Sequence, residues 1–316
     1  MRPQGVGTRS PSGYGHRPTS RRLRPPVTSS DALGSPGTRP DVAGSDRPPP
    51  RRGATVPDLT IEIDEHVATV TLDRPPVNAI DRGTMAEIRD AFRSFDDNRE
   101  VRAAIFTAAG DRAFMAGVDL RSVGQTAGPP DEVAPTLVTD PPRVARDAMW
   151  AITDCAVPVI GAINGPALGA GLAFAACCDM LVAAEGASFG APEINVGLLG
   201  ASAHVSMLVG RYKAREMYFT GEEVSAAELH RLGAVRGVVP REDLLATAQA
   251  LAQELAAKSP IALRLAKESM NRVEYLSLKE AYRTEQDYTA RLSRFDDATE
   301  ARSAFAEKRR PNWKWR

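Results

Sequence analysis

Two glycine-rich segments place the strongest constraint on how this chain folds. They are 113–120 (AFMAGVDL) and 164–171 (NGPALGAG), and each lies after or near a short apolar run typical of a buried strand. Small residues in such segments let the backbone approach a ligand closely. If the second segment opens a helix near Ala170, the first N–H groups of that helix have no partner within it. A pair of such donors suits an enolate or a tetrahedral oxyanion, although the same segments would also serve as tight turns between packed elements.

Composition divides the chain near residue 56. Residues 1–56 hold 10 of the 24 prolines and 8 of the 25 glycines, with 10 Arg, 3 Asp and neither Lys nor Glu. We expect this part to be a disordered basic extension, either without function or with an interaction or targeting role. Because the formal net charge of the whole chain is zero, residues 57–316 carry the compensating acidic excess. An acidic body does not favour nucleic-acid binding, which would depend on the extension alone.

The overall composition is that of a globular protein. At 316 residues and 43% hydrophobic content, the chain can bury a full core. Cys155, Cys177 and Cys178 form no CxxC pair and no metal-binding spacing, so we expect a reducing compartment, the cytoplasm, and no metal site. There is no run of 18 apolar residues and no apolar stretch at the N-terminus, which predicts neither a membrane span nor a secretory signal.

Hydrophobic periodicity predicts an α/β domain over residues 57–316. The β-rich or short apolar runs predict strands at 59–63, 67–72, 103–107, 157–163 and 180–183, with the first two as a hairpin. A helix is expected where Met85, Ile88, Phe92 and Phe95 recur, and a buried helix is expected at 169–177. Segment 124–142 contains five prolines and is predicted to be a loop, either a lid or a pocket wall. From residue 202 onward the pattern is mostly helical.

Two familiar motifs match only in part. Residues 186–190 (GASFG) fit the GxSxG pattern of serine hydrolases, but Pro192 and the non-periodic residues after it argue against the strand-to-helix elbow that Ser188 would need. Residues 169–171 begin like a dinucleotide fingerprint, but Phe174 occupies the position of the third glycine. The sequence therefore favours neither a serine nucleophile nor a Rossmann site.

Three further segments accompany the two glycine-rich ones. These are 74–79 (RPPVNA), 188–193 (SFGAPE) and 303–309 (SAFAEKR). In this order and spacing, residues 57–316 resemble the crotonase superfamily, the enoyl-CoA hydratases and isomerases. The resemblance implies a ClpP/crotonase-like spiral of ββα units over 57–258, followed by a C-terminal helical trimerisation region over 259–316. It also implies an enzyme of fatty-acid or related acyl-CoA metabolism, assembled as a homotrimer or a dimer of trimers. Coenzyme A would be part of the substrate, and no separate cofactor is implied.

The resemblance places the two oxyanion donors at the backbone N–H groups of Val118 and Ala170. Family hydratases also use two glutamates. The second is present here as Glu193, whereas Ala173 occupies the position of the first. Alanine can neither activate water nor deliver a proton, while moving a double bond needs only one base that shuttles a proton. Ala173 therefore favours isomerisation by Glu193 as acid/base, whereas family frequency favours hydration.

His204 is a candidate second acid/base group, with a packed helix start as the alternative. Asp119 would align solvent or pair with Arg121, or else cap a turn. Together with the two oxyanion positions, the candidate coenzyme A contacts are Arg74, Val118, Asp119, Leu120, Arg121, Ala170, Phe305, Lys308 and Arg309, where Lys308 and Arg309 would come from a neighbouring subunit. Phe305 would pack near the adenine or anchor the last helix.

Other functions stay open at this point. The same oxyanion site would serve a hydrolase, a decarboxylase or a dehalogenase acting on acyl-CoA. A catalytically lapsed protein that binds a CoA ligand is the alternative from a different class.

Overall fold

The computed structural model describes residues 57–122 and 133–316. The predicted disordered extension at 1–56 and residues 124–132 of the predicted loop lie outside the described residues. The strands of the described chain are β1 (Leu59–Asp64), β2 (Val67–Leu72), β3 (Ala103–Ala108), β4 (Val159–Ile163), β5 (Ala167–Leu168), β6 (Met180–Ala184), β7 (Ser188–Gly190), β8 (Val224–Ser225) and β9 (Gly237–Val239). Its α-helices are α1 (Arg82–Arg93), α2 (Pro135–Thr139), α3 (Arg143–Thr153), α4 (Ala170–Ala176), α5 (Ser202–Thr220), α6 (Ala226–Arg231), α7 (Leu244–Ala256), α8 (Pro260–Val273), α9 (Leu278–Leu292) and α10 (Asp296–Ala306).

A six-stranded sheet in the order β1-β2-β3-β4-β6-β9 forms the centre of the described chain. The predicted hairpin is confirmed, since β1 and β2 pair antiparallel from Leu59 opposite Leu72 to Asp64 opposite Val67. The remaining neighbours pair parallel. Parallel strands are covered on both faces, which explains why every residue of β3 is buried. A small second sheet, β5-β7-β8, lies beside the first.

Two apolar cores lie on the two faces of the sheet. On one face, edge-to-face contacts join Phe92 of α1 to Phe106 of β3 and Phe106 to Phe114, each with ring centroids 5.4 Å apart. On the other face, the central strands pack against the apolar stripe of α7 that includes Leu244 and Leu251. Helix α1 begins where Asp81 accepts hydrogen bonds from the N–H groups of the first turn. The predicted helices at 85–95 and 169–177 are thus confirmed as α1 and α4.

One secondary-structure prediction was wrong in part. The segment 124–142, predicted as a loop, contains the short helix α2. Pro135 occupies the first turn of this helix, where a residue without an N–H costs nothing. Pro135 and Pro142 therefore mark the starts of α2 and α3.

The C-terminal helices dock at the amino ends of the strands. The Nζ atom of Lys267 in α8 donates to the carbonyl oxygens of Ile152 and Val157, each at 3.1 Å, and pairs with Asp179 at 2.7 Å. The C-terminal tail follows the same end of the sheet, where Trp313 Nε1 donates to the carbonyl of Ala257 at 3.1 Å. The carboxyl ends of β3 and β4 lie at the opposite end of the sheet. Helix α7, whose 13 residues span about 20 Å, begins at that end, where Arg241 donates to the carbonyl of Asn164, and ends at Ala256. Within the described residues, none of the helices has the length and apolar character needed to cross a bilayer.

Candidate active site

The two glycine-rich segments lie against each other at the carboxyl ends of β3 and β4. The N–H of Leu168 donates to the carbonyl of Met115 at 2.9 Å, and Met115 forms a parallel bridge with Ala167. At Gly171, an added Cβ would lie 2.1 Å from that same Met115 carbonyl oxygen, so only glycine permits this approach. The structure therefore brings together two segments that are about 50 residues apart in the sequence.

The backbone around Val118 and Ala170 leaves two N–H groups without acceptors. The residues on both sides of Val118 pair with Ile80. The carbonyl of Gly117 accepts from the N–H of Ile80 at 2.9 Å, and the N–H of Asp119 donates to the Ile80 carbonyl at 2.8 Å. The N–H of Gly169 donates to the Gly190 carbonyl at 2.9 Å. Among residues 57–122 and 133–316, the N–H groups of Val118 and Ala170 donate no hydrogen bond. Their neighbours are fixed and these two donors remain available, which is the arrangement that an oxyanion requires.

The carboxyl group of Glu193 lies beside the second segment. It follows β7 in a 3-10 turn, Pro192–Val196. Its Oε1 atom would lie only 2.6 Å from a Cβ at Gly169 and 2.9 Å from a Cβ at Gly200. Its Oε2 atom is buried and has no hydrogen-bond partner in the described part of the chain. A buried carboxylate oxygen without a partner is costly, so its persistence at this position indicates a functional group.

Ala173, at the position of the first family glutamate, is buried in the fold. Ala173 lies on α4, one turn after Gly169, and is only 1% exposed. His204 lies in the first turn of α5 and is partly buried, and this burial lowers the pKa of its imidazole. No hydrogen bond joins His204 to Glu193 among the described residues. Of the two positions that hold glutamates in family hydratases, only that of Glu193 carries a carboxylate here.

Three side chains support the two glycine-rich segments by binding carbonyls within them or just before the first one. The amide of Asn78 donates to the carbonyls of Ala109 and Ala113 at 3.0 and 2.9 Å. The amide of Asn164 donates to the carbonyl of Ala108 at 2.7 Å, and the guanidinium of Arg241 donates to the carbonyl of Asn164 at 2.8 Å. Both asparagines lie within the sequence motifs described above, but their support of backbone carbonyls was not predicted. Arg241 carries no sequence signal, since its partners are more than 70 residues away.

Asp119 and Arg121 form a local ion pair next to Val118. Arg121 donates through its Nη2 atom to Asp119 at 2.8 Å and through its backbone N–H at 3.0 Å. The guanidinium of Arg121, followed by that backbone N–H, lowers the pKa of Asp119 from 3.8 to about 2. Asp119 therefore caps the short 3-10 turn that contains Leu120, which matches the capping interpretation. Arg121 and Leu120 are exposed at the same edge of the site.

Arg74, predicted as a phosphate-binding group, is engaged by carboxylates of its own chain. Its guanidinium is enclosed by Asp81 at 2.6 Å, Asp58 at 3.2 Å and Asp119 at 3.8 Å. Another of its N–H groups donates to the carbonyl of Ala79. Three carboxylates around one guanidinium leave a net negative environment, which repels a phosphate. Arg74 instead ties the start of α1 to the first glycine-rich segment.

The C-terminal candidates lie far from Val118 and Ala170 of their own chain. Phe305 on α10 is 88% exposed, so the expectation that it anchors the last helix was wrong. Arg309 pairs with Glu300 and Glu307, each at 2.6 Å. Lys308 forms no ion pair within the described chain. These residues lie on the region that docks at the amino ends of the strands, at the opposite end of the sheet.

The remaining sequence candidates have structural roles. Ser188 lies within β7, not at a strand-to-helix elbow, and donates to the carboxylate of Glu223 rather than to a histidine, so the GxSxG match is accidental. Burial raises the pKa of the Cys155 and Cys177 thiols to about 11, as expected for buried hydrophobic cysteines. No group of metal-ligating side chains occurs among the residues that the structure describes.

Comparison with known proteins gives one consistent family. A model described as enoyl-CoA hydratase/isomerase matches residues 62–316. A (7aS)-7a-methyl-1,5-dioxo-2,3,5,6,7,7a-hexahydro-1H-indene-carboxyl-CoA hydrolase of Rhodococcus jostii (strain RHA1) is 38% identical over 78% of this chain and 92% of the relative. A probable mitochondrial enoyl-CoA hydratase of Dictyostelium discoideum is 34% identical over 80% and 90%. The crystal structure of an enoyl-CoA hydratase from Mycobacterium smegmatis superposes with a TM-score of 0.74 at 34% identity, covering 82% of this chain and 99% of that one.

Proposed function

The chain belongs to the enoyl-CoA hydratase/isomerase family, and we propose that it moves the double bond of an enoyl-CoA thioester through an enolate, using one glutamate as acid and base. Membership confirms the predicted crotonase fold and makes the protein an enzyme that acts on acyl-CoA. The reaction itself is our proposal. The observation that carries it is the single buried carboxylate of Glu193 beside two free backbone N–H groups.

The N–H groups of Val118 and Ala170 would bind the thioester carbonyl oxygen. Removing the α-proton places negative charge on this oxygen, and donors already fixed by the fold stabilise that charge without reorganising. Both donors are backbone groups, so the side chains at these positions need only be small enough to admit the thioester. No metal or further cofactor is required, because coenzyme A arrives as part of the substrate.

Glu193 would carry the proton in both halves of the reaction. Its carboxylate removes a proton from the α-carbon of a 3-enoyl-CoA, and the C–H electron pair moves toward the carbonyl to form the dienolate. The protonated Glu193 then returns the proton to the γ-carbon, and the double bond closes between the α- and β-carbons. Atoms balance without water or a second acid. This is why Ala173, buried at 1% exposure, favours isomerisation over hydration.

We propose that the coenzyme A phosphates are bound by Arg121 of one copy and Lys308 of another. Arg121 lies beside Val118 at the carboxyl ends of the strands, whereas Lys308 follows α10 in the region that docks at their amino ends. Large apolar side chains exposed on the segment before α5, on α5 and on α8–α9 fit burial against further copies, as in a homotrimer or a dimer of trimers. The most exposed of these are Leu199, Tyr212, Phe219, Met270, Tyr275 and Leu278.

The experiment is turnover of 2-enoyl-CoA and 3-enoyl-CoA in deuterated water, followed by mass spectrometry, with Glu193→Gln in parallel. We expect wild-type protein to interconvert the two isomers without gain of water. Deuterium should enter the acyl chain in those turnovers where protonated Glu193 exchanges with the solvent before it returns the proton. Isomerisation and deuterium entry should both be lost in Glu193→Gln. A product heavier by one water would contradict isomerisation and assign hydration instead. Unchanged activity in Glu193→Gln would remove Glu193 from the mechanism.

A hydrolase is the second candidate, and a specific observation favours it. Two curated relatives with 38% identity are both named as hydrolases of a dioxo-hexahydro-indene-carboxyl-CoA. The same oxyanion site would stabilise the thioester enolate that leaves when a ring carbonyl is hydrated and its C–C bond breaks. A cyclic oxo-acyl-CoA that gains one water without releasing a thiol would support this reaction. Release of free thiol would indicate cleavage of the thioester.

A further inference from the structure

The carboxyl group of Glu193 occupies a slot between two glycines. An added Cβ at Gly169 would lie 2.6 Å from its Oε1 atom, and one at Gly200 would lie 2.9 Å from it. Gly169 is fixed as the residue before α4, with its N–H bound to the carbonyl of Gly190. One wall of the slot therefore belongs to the same rigid element as the oxyanion donor at Ala170.

The other wall belongs to the segment that carries Glu193 itself. This segment folds back on itself, since the N–H of Leu198 donates to the Glu193 carbonyl at 2.9 Å and Gly197 has a left-handed conformation with φ 70°. It then reaches Gly200 immediately before α5. No strand pairs with this stretch, so the place of Gly200 depends on a contact from elsewhere.

Tyr218 provides that contact. Its hydroxyl oxygen accepts the N–H of Gly200 at 3.1 Å, and its ring packs partly buried against the main core. Tyr218 lies in the second half of α5, beyond the non-helical Gly210, which breaks the helix at φ 71° and ψ 173°. A core-packed ring that holds a backbone amide fixes that amide more firmly than water would.

We propose that Tyr218 is a positioning residue for Glu193, acting through Gly200. This inference rests on the proposed function, in which Glu193 transfers the proton. The hydroxyl holds the movable wall of the slot, and the slot holds the carboxylate beside the oxyanion donors. The hydroxyl of Tyr218 is engaged by the N–H of Gly200, and the coenzyme A contacts proposed above lie on other elements. Its loss should therefore lower kcat and leave KM nearly unchanged.

The first test is Tyr218→Phe, which removes the hydroxyl and keeps the ring. Since a misplacement of about 1 Å in a reacting group costs up to about 100-fold, we expect kcat for deuterium entry to fall roughly 5- to 50-fold. The matched control is Tyr282→Phe on α9. Tyr282 is 59% exposed and has no hydrogen bond within the described residues. Thermal unfolding of both variants establishes that the protein is folded.

The second test moves the wall directly. Gly200→Ala places a Cβ against the flexible end of the Glu193 side chain, so the carboxylate must shift while the backbone can remain. We expect a fall in kcat at least as large as in Tyr218→Phe, again with little change in KM. The control is Gly237→Ala, where an added Cβ has no atom within 4 Å.

The outcomes separate this inference from the proposed function. If wild-type protein exchanges deuterium, Glu193→Gln abolishes it and Tyr218→Phe retains the wild-type kcat within about two-fold, the positioning role is wrong and the proposed function stands. A rise in KM with unchanged kcat in Tyr218→Phe would also overturn the positioning role. If Glu193→Gln exchanges as fast as wild type, the proposed function itself fails.

Discussion

Gly171→Ala tests whether the contact between the two glycine-rich segments creates the oxyanion site. Gly171 lies in the first turn of α4, and a Cβ there would lie 2.1 Å from the Met115 carbonyl oxygen. The position of the Cβ is fixed by the backbone of α4, and the oxygen is itself a backbone atom, so no side-chain rotation can relieve the clash. The two segments must separate by about 1 Å, because Cβ atoms do not approach oxygen below about 3 Å. That separation moves the N–H of Ala170 relative to the N–H of Val118.

The expected loss of activity exceeds the expected loss of stability. Misplacing or removing one oxyanion donor costs about 100- to 1,000-fold in rate. Overpacking costs about 1–3 kcal/mol, and the better helix propensity of alanine returns about 1 kcal/mol of this. A net loss of about 0–2 kcal/mol lowers the unfolding midpoint by at most roughly 8 °C in a chain of this size. At 25 °C the variant should therefore be folded and nearly inactive.

The assay is the rate at which deuterium from the solvent enters the acyl chain of enoyl-CoA, which reports enolate formation whichever product follows. We expect at least about a 100-fold slower rate in Gly171→Ala than in wild type, with Gly237→Ala unchanged. Folding is checked by the thermal midpoint and the circular dichroism spectrum. A folded Gly171→Ala protein that exchanges within about three-fold of wild type would refute the oxyanion assignment.

Three other predictions concern the docking of α8, the binding of the coenzyme A phosphates and the ion pair between Asp119 and Arg121. Lys267→Met should destabilise the protein by about 3 kcal/mol in urea unfolding, because it removes the buried partner of Asp179. Lys308→Ala should raise KM for acyl-CoA and leave kcat unchanged, with no effect on an acyl-pantetheine substrate that lacks the nucleotide phosphates. In NMR titration, the pKa of Asp119 should lie at about 2 and rise toward 3.8 in Arg121→Ala. Since the pKa is lowered in the folded state, ionised Asp119 favours folding above pH 3.8, and this contribution is lost as the pH falls through 2.

Each of these perturbations has an outcome that contradicts it. Equal unfolding free energies for Lys267→Met and for Lys258→Met, which alters an exposed lysine, would remove the structural role of Lys267. An equal rise in KM for acyl-CoA and acyl-pantetheine would show that Lys308 does not bind the phosphates. An Asp119 pKa that stays near 2 in Arg121→Ala would assign its depression to other groups.

The glycine-rich segments were informative because their chemistry is local. A helix start near Ala170 follows from the pattern within a few residues, whereas the family resemblance located the donor at Val118. The family pattern located Glu193 for the same reason, since its segment is contiguous. Helix α1 was predictable from its apolar spacing.

The surroundings of these groups depend on contacts that sequence spacing does not encode. Arg74 was expected to bind phosphate, yet three aspartates from separate parts of the chain enclose it. Phe305 was given two possible roles, and only its exposure in the folded chain excludes the anchoring one. The role of Tyr218 has no sequence signal, because its segment is predicted only to be helical and its partner, the N–H of Gly200, is 18 residues away. Such long-range partners appear only once the packing is known.

The most direct test of the account is a crystal structure of the protein with a bound, unreactive acyl-CoA analogue that retains the thioester carbonyl. We predict that the carbonyl oxygen lies 2.7–3.1 Å from the nitrogen atoms of both Val118 and Ala170, about the distance that a stabilised oxyanion needs. The carboxylate of Glu193 should face the α-carbon from the slot between Gly169 and Gly200. A carbonyl oxygen bound elsewhere, or an α-carbon out of reach of Glu193, would contradict the proposed mechanism.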